Sequence, residues 1–261
     1  MSEKDLQKSF DKLAENYDKT TTTFHHKISE YVLYENLKEE LKLFSAPIIL
    51  DAGCGTGKFA LKLLKEGFDV ILLDLSEKSL AVAQGKIRKE GFNPRVFSGS
   101  VENMPFEDQS FDFVMMNGAV MSYTVNPEEA LKEAHRVLKK DGLLFFDFFN
   151  TIGWGIEIHD LELKYDVADA ETKLIQMPDW DYPARLMSLN YVRNMLSAAG
   201  YQIINEYGLI NLTHSVSLDI RYNDLVEEEI VNKYKKLELA LSRNKELLGS
   251  AWSCIISAKK M

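Results

Sequence analysis

Three glycines at alternate positions, Gly53, Gly55 and Gly57, follow Asp51 in the stretch ILDAGCGTGKFA, residues 49 to 60. Glycine lacks a Cβ and takes left-handed backbone angles freely, so such a loop lets a ligand approach the main chain closely. A phosphate loop needs Gly, four residues, then Gly-Lys-Ser/Thr. Gly57-Lys58 fits that pattern, but Ala52 stands where the first glycine belongs and Phe59 where the magnesium-binding hydroxyl belongs. A dinucleotide loop needs a third glycine three residues after the second. After Gly55 that position is Lys58, and Gly57 comes one residue early. What remains is acid-x-Gly-x-Gly-x-Gly, met by Asp51, Gly53, Gly55 and Gly57.

Other segments stand at consistent distances from this loop. Asp74 closes the apolar run of LLDLS, 17 residues after Gly57. An acid at the carboxyl edge of a strand can accept both hydroxyls of a ribose. Farther on come SGSVENMPFEDQSFDFV (with Ser100, Val101 and Glu102), MMNGAVMSY (with Asn117 and Tyr123) and HRVLKKDGLLFF. Tyr17 lies ahead of the loop in AENYD.

Taken in order, these segments resemble motif I and the later motifs of the class I S-adenosylmethionine-dependent methyltransferases, small-molecule type. The resemblance covers most of residues 10 to 210. It implies S-adenosyl-L-methionine as cofactor, S-adenosyl-L-homocysteine as product and no metal. It implies that the glycine loop, with Cys54, meets the amino-acid moiety, with Asp51 near its ammonium. It also implies Asp74 at the ribose, Leu75 against the adenine, and Asn117 below the methyl donor. Tyr17 would close over the cofactor, where an aromatic ring also stabilises a sulfonium. At Ser100 the chain departs from the usual acid that bonds the adenine amino group; a serine hydroxyl can still accept that bond. The implied fold is α/β: a Rossmann-like, mostly parallel seven-stranded sheet of order 3-2-1-4-5-7-6, with helices on both faces and a helical lid.

The elements read from the residues agree. PIILDA, DVILLDL, NPRVFSGS, SFDFVMMNG and LLFFDFFN read as five strands, separated by GKFALKLLKEG, SEKSLAVAQGKIRKEG and NPEEALKEAHRVLKKDG as helices. Such alternation argues for a parallel sheet covered on both faces, and strands one and five are apolar enough to be buried on both. Ahead of them, residues 2 to 18 read as one helix capped by Ser2, and 28 to 44 as a second amphipathic helix ended by Pro47. After Asn150, residues 151 to 187 show no clear period. LNYVRNMLSAAGYQIINEYGL restores a helix and a strand, a charged helix runs from about Asn223 to Glu246, and SAWSCIISAKK is a last strand. These divisions predict a single domain over 1–261. Residues 1–45 form its lid, 46–150 its cofactor-binding half, and 151–187 and 212–247 its substrate-cap insertions.

Composition narrows the partners. The chain has 261 residues, 46% of them hydrophobic, and a net charge of -9, which disfavours nucleic acid. No apolar run approaches the ~18 residues of a membrane span. Two distant cysteines, Cys54 and Cys254, show no zinc spacing and fit a reducing cytoplasm. The expected partner is a small-molecule methyl acceptor, for a monomer or homodimer. Catalytic candidates are His25 and His26, read as lying between the two N-terminal helices, and Tyr123 after strand four. His135 reads as solvated on a surface helix. His159 and His214 fall in the variable insertions, where Trp154 and Trp180 offer pocket walls or core. Asp147 reads as too deep in strand five to serve. The expected function is methyl transfer to an O, N, S or C atom by in-line displacement. A carrier-protein carboxyl methyltransferase and a non-catalytic cofactor-binding regulator are the alternatives. A nicotinamide dehydrogenase is disfavoured by the glycine spacing.

Overall fold

The computed structural model describes residues 2–158, 161–176 and 181–261. Its N-terminal part holds α1 (Glu3–Leu13), α2 (Tyr17–Thr20) and α3 (Phe24–Leu41). The alternating run follows as β1 (Ile48–Ala52), α4 (Lys58–Lys65), β2 (Asp69–Asp74), α5 (Glu77–Lys89), β3 (Arg95–Ser98), β4 (Phe111–Met116), α6 (Val120–Tyr123), α7 (Pro127–Val137) and β5 (Leu138–Phe149). The remainder is α8 (Thr151–Glu157), α9 (Leu161–Asp169), β6 (Thr172–Ile175), β7 (Ala184–Met187), α10 (Leu189–Ala198), β8 (Tyr201–Leu209), α11 (Leu218–Arg221), α12 (Glu228–Ser242) and β9 (Ser253–Lys260).

One seven-stranded sheet orders as β3-β2-β1-β4-β5-β9-β8. Because β6 and β7 form a separate two-stranded sheet, this is the expected 3-2-1-4-5-7-6 order counted along the main sheet. The strands from β3 to β5 run parallel, while β9 is antiparallel to both β5 and β8. Period-two alternation divides the core between the faces. Ile49, Phe113 and Phe145 pack with residues of α3, α4, α5 and α12. Leu50, Val114 and Phe146 pack with residues of α7 and α10. A smaller cluster built on Tyr123, Phe149, Val167 and Tyr182 lies beyond the carboxyl edge of β5.

Local signals set most helix starts. Ser2, Ser76, Asn126 and Ser188 each accept the backbone N–H three residues on, as N-caps do. The boundaries differ from the sequence expectation in four places. The first helix stops at Leu13, and Tyr17 opens a separate short turn. The second begins at Phe24, capped by Thr23, so His25 and His26 occupy its first turn and are not in a link. The helix before strand five ends at Val137, and the strand runs twelve residues from Leu138. Among the described residues, 151 to 187 hold two helices and the antiparallel pair β6 and β7, whose four-residue strands are too short to show a period. Among the described residues no helix is long and apolar enough to cross a membrane.

Candidate active site

A cavity of about 280 Å³ opens along the carboxyl edge of the sheet, from the end of β3 to the ends of β8 and β9. The glycine loop between β1 and α4 forms part of its wall. Gly53, Gly55 and Gly57 all have left-handed φ angles, +80°, +51° and +72°. Their surroundings differ. A Cβ at Gly53 would stand 2.5 Å from Val120 Cγ2, and one at Gly57 would stand 2.9 Å from Ala83 Cβ. A Cβ at Gly55 would meet nothing within 4 Å. Two of these glycines therefore serve packing, while the third leaves open space over the main chain.

Asp74, at the end of β2, holds the loop from below. Its two carboxylate oxygens accept the Gly55 N–H at 2.7 Å and the Ser76 N–H at 2.8 Å. Burial raises its pKa, against the pull of these bonds. Leu75, Ser100, Val101 and Glu102 continue the wall. The Ser100 hydroxyl donates to Glu3 of α1 and accepts the Glu102 N–H at 3.0 Å. A carboxylate thus does reach this position, delivered by the N-terminal helix. Glu102 in turn accepts the Val125 N–H at 2.7 Å, tying two loops together.

The N-terminal helices lie over this half as a lid. Ser76 donates to Asp11 at 2.6 Å, and Thr56 of the glycine loop donates to Asp18 at 2.6 Å. Lys86 pairs with Asp18 at 2.6 Å, and Lys58 bonds Thr21 at 3.0 Å. Tyr17 lines the cavity beneath this latch. Burial, followed by the charge of Asp147, pushes its phenol up to about 12, so it stays protonated.

At the end of β4, Asn117 is buried and its Oδ1 has no partner. The next two residues take left-handed angles, with φ +84° at Gly118 and +60° at Ala119. Such a conformation is costly for alanine and persists only where the surroundings hold it. Asp147 does so: its carboxylate accepts the Gly118 N–H at 2.7 Å and the Ala119 N–H at 3.0 Å. Burial pushes its pKa up to about 6, against those bonds. The expectation that Asp147 is too deep to serve is therefore corrected; it lines the cavity. The available signal was a lone acid in the apolar run LLFFDFF, which needs dedicated partners.

The remaining candidates divide. Tyr123 lines the cavity between Phe10 and Phe149, and burial holds its phenol protonated well above the usual range. His25 and His26 also line it. His25 is only 5% exposed, and its Nδ1 has no partner. Burial, then the charges of His26, Arg221 and His214, push its pKa down to about 3. His26 Nδ1 shares a hydrogen bond of 2.7 Å with Thr23, and burial lowers its pKa too. Asp51 and Gly57 do not line the cavity. Asp51 is 2% exposed, stands behind the glycine loop, and has a carboxylate oxygen with no partner. Burial, then Asp74, push its pKa up to about 8. His135 is half-buried, with its ring edge-on to Tyr201 and not free in solvent. His214 lies in the turn after β8, and His159 and Trp180 lie outside the described residues. Trp154 stacks behind Trp252. Sequence reasoning missed Phe149, Leu209, Trp252 and Ser253. They are apolar or small, and only the packing of strand ends brings them to the cavity.

With this geometry in hand, comparisons place the chain among known proteins. A family model described as a methyltransferase domain matches residues 50–146. An uncharacterized protein of Methanocaldococcus jannaschii is 29% identical over 219 residues, 80% of this chain and 81% of its own. A malonyl-[acyl-carrier protein] O-methyltransferase of Erwinia pyrifoliae is 39% identical over 112 residues, 43% of this chain and 41% of its own length. Among solved structures, a methyltransferase from Thermotoga maritima, described as a possible histamine N-methyltransferase, superposes with a TM-score of 0.64. It is 22% identical and covers 98% of this chain and 100% of its own.

Proposed function

We propose that this chain is a class I S-adenosylmethionine-dependent methyltransferase that transfers the methyl group of that cofactor to a nucleophilic O, N, S or C atom of a small molecule, a reading supported by the methyltransferase-domain match and the shared fold. The observation that carries the reading is the single cavity running from Asp74 to Trp252 beneath the lid. Its two ends provide room for two reactants face to face. The residues present fit the cofactor: Gly55 leaves a cradle that any side chain would fill, and Asn117 Oδ1 is a buried acceptor without a partner.

When bound, S-adenosylmethionine supplies a methyl group on a sulfonium, an electrophile with a good leaving group. In this reading Asp74 uses its remaining lone pairs for ribose hydroxyls, and Leu75 covers the adenine. Ser100 and Glu3 face the adenine's amino edge, while Gly53, Cys54 and Gly55 admit the amino-acid end. Val101 and Glu102 complete the wall, and Tyr17 closes over the sulfonium. Asp51 is kept off the wall, so its influence on the cofactor's ammonium is through the loop alone. The lid of residues 1–45 excludes water, and the insertions 151–187 and 212–247 shape the acceptor's entry. Alignment of this kind can contribute ~7–11 kcal/mol to lowering the barrier, so a strong general base is not required.

Calorimetric titration with S-adenosylmethionine and S-adenosylhomocysteine tests the cofactor site. Micromolar binding should weaken roughly 10- to 100-fold in Asp74→Ala, the scale of one or two hydrogen bonds to a charged group. Absence of binding to the wild type overturns the reading. Binding with no methyl transfer to any acceptor pool would favour a cofactor-binding regulator. The identity with the malonyl-carrier enzyme supports a carboxyl methyltransferase as second reading. Against it, a chain of net charge -9 repels an acidic carrier.

A further inference from the structure

Half of the cavity remains unexplained by the cofactor. Because β9 runs antiparallel, its first residue, Ser253, pairs with Phe149, the last of β5, and Trp252 just ahead of it stands at the same carboxyl edge. There Phe149 and Trp252 lie 5.1 Å apart at 61°, and the His25 ring sits edge-on to Trp252 at 4.8 Å. Trp154 stacks behind Trp252 at 4.9 Å, so the indole is held before anything binds. A rigid aromatic wall stacks a flat ring at little entropic cost.

The same wall carries three polar atoms that the protein leaves unsatisfied: His25 Nδ1, Trp252 Nε1 and Ser253 Oγ. A buried polar atom without a partner is costly to the fold. Three such atoms belong to neighbouring residues that line the cavity, and together they mark where a ligand's polar edge belongs. The charges narrow the ligand further. Among the described lining residues the lysine, Lys58, is engaged by Glu30 at 2.9 Å, so an anionic group finds no free cation. Asp147 is engaged by two backbone N–H groups, and a second cation would be repelled by the donor's sulfonium.

We infer that this end of the cavity is the acceptor site for an uncharged, flat aromatic or heteroaromatic ring bearing an O–H or N–H, which lies against Trp252 and Phe149 and donates its hydrogen to His25. The inference rests on the assignment of the other end to the cofactor. His25 is then a positioning residue: it orients the acceptor's polar atom, and its burial keeps it neutral and able to accept.

The test is titration of the S-adenosylhomocysteine-loaded protein with phenol and 2-naphthol. The controls are their saturated counterparts cyclohexanol and decahydro-2-naphthol, together with naphthalene and benzoate. Phenol or 2-naphthol should bind at least tenfold more tightly than its saturated counterpart, and benzoate should bind far more weakly than phenol. His25→Phe should erase the preference for 2-naphthol over naphthalene. Trp252→Leu, or the milder Trp252→Phe, should weaken aromatic binding while the affinity for S-adenosylhomocysteine is unchanged. Equal binding of the saturated alcohols, tight binding of benzoate, or no binding of either aromatic alcohol overturns the inference, whatever the variants do. Failure of S-adenosylhomocysteine itself to bind would instead strike the cofactor assignment.

Discussion

Asp51 and His25 are both buried and nearly neutral, yet they tie stability to pH in opposite directions. The folded protein keeps the Asp51 proton up to about pH 8, whereas an unfolded chain releases it near 4. The stability linked to Asp51 is therefore complete below about pH 4 and is lost as pH rises toward 8. His25 holds a proton in the fold only below about pH 3, against roughly 6.5 when unfolded. Its contribution is complete above about 6.5 and is lost as pH falls toward 3. Between pH 6.5 and 8 Asp51 dominates this pair. Urea unfolding should show about 1.5 kcal/mol of stability lost across that window in the wild type, and a much flatter profile in Asp51→Asn. An unchanged slope in the variant would mean that Asp51 is ionised in the fold.

At the scale of elements, the glycine loop and the lid are the parts whose sequence and geometry can be separated by experiment. Gly53→Ala pushes a Cβ into Val120 on top of an unfavourable φ, so it should cost several kcal/mol of stability. Gly55→Ala meets no protein atom, so it should cost only about 1–2 kcal/mol from its φ. Its methyl group would nonetheless stand in the space proposed for the cofactor, and S-adenosylhomocysteine binding should fall at least tenfold. Thermal melts with calorimetry on the two variants would reveal whether that contrast exists. Asp18 is the lid's main tie, bonded to Thr56 and paired with Lys86. Its side chain is 38% exposed, so solvent screens the pair, and the tie is worth about 1 kcal/mol. Asp18→Ala should speed hydrogen exchange several-fold across residues 3–20 and leave the central strands protected. Equal exchange in both proteins would show that apolar packing alone holds the lid.

Across the whole molecule, two buried carboxylates fasten the later helices and strands together. Glu40 of α3 accepts from Asn205, Tyr207 and Ser257, joining that helix to β8 and β9. Glu238 of α12 is 0% exposed and accepts from the backbone of Asn211, Leu212 and Thr213. It thereby anchors the 212–247 insertion to the exit of β8. Glu238→Ala strands those donors at ~1–3 kcal/mol for each unsatisfied group, a loss on the order of 3–5 kcal/mol. For a chain of this size the melting temperature should drop by about 10 °C. A drop of only one or two degrees would mean that water replaces the carboxylate.

The chain's local physics set the alternating run from Ile48 to Phe149, because periods of two and 3.6 and the helix caps act within a few residues. The end proposed for the cofactor was legible for a related reason: Gly53, Gly55, Asp74 and Asn117 lie at the ends of parallel strands, so chain spacing stands in for spatial spacing. Asp51 and Gly57 share that spacing, yet they face away from the cavity, since a loop's direction depends on what packs beneath it. The opposite end was legible only in part, through His25, His26 and Tyr123. His25, Asp147 and Trp252 are far apart in the chain and belong to no motif. They meet only because β9 enters antiparallel between β5 and β8 and brings its first residues to the edge where the parallel strands end. Which residues line the end proposed for the acceptor is thus decided by topology, through pairings between distant segments that no local pattern encodes.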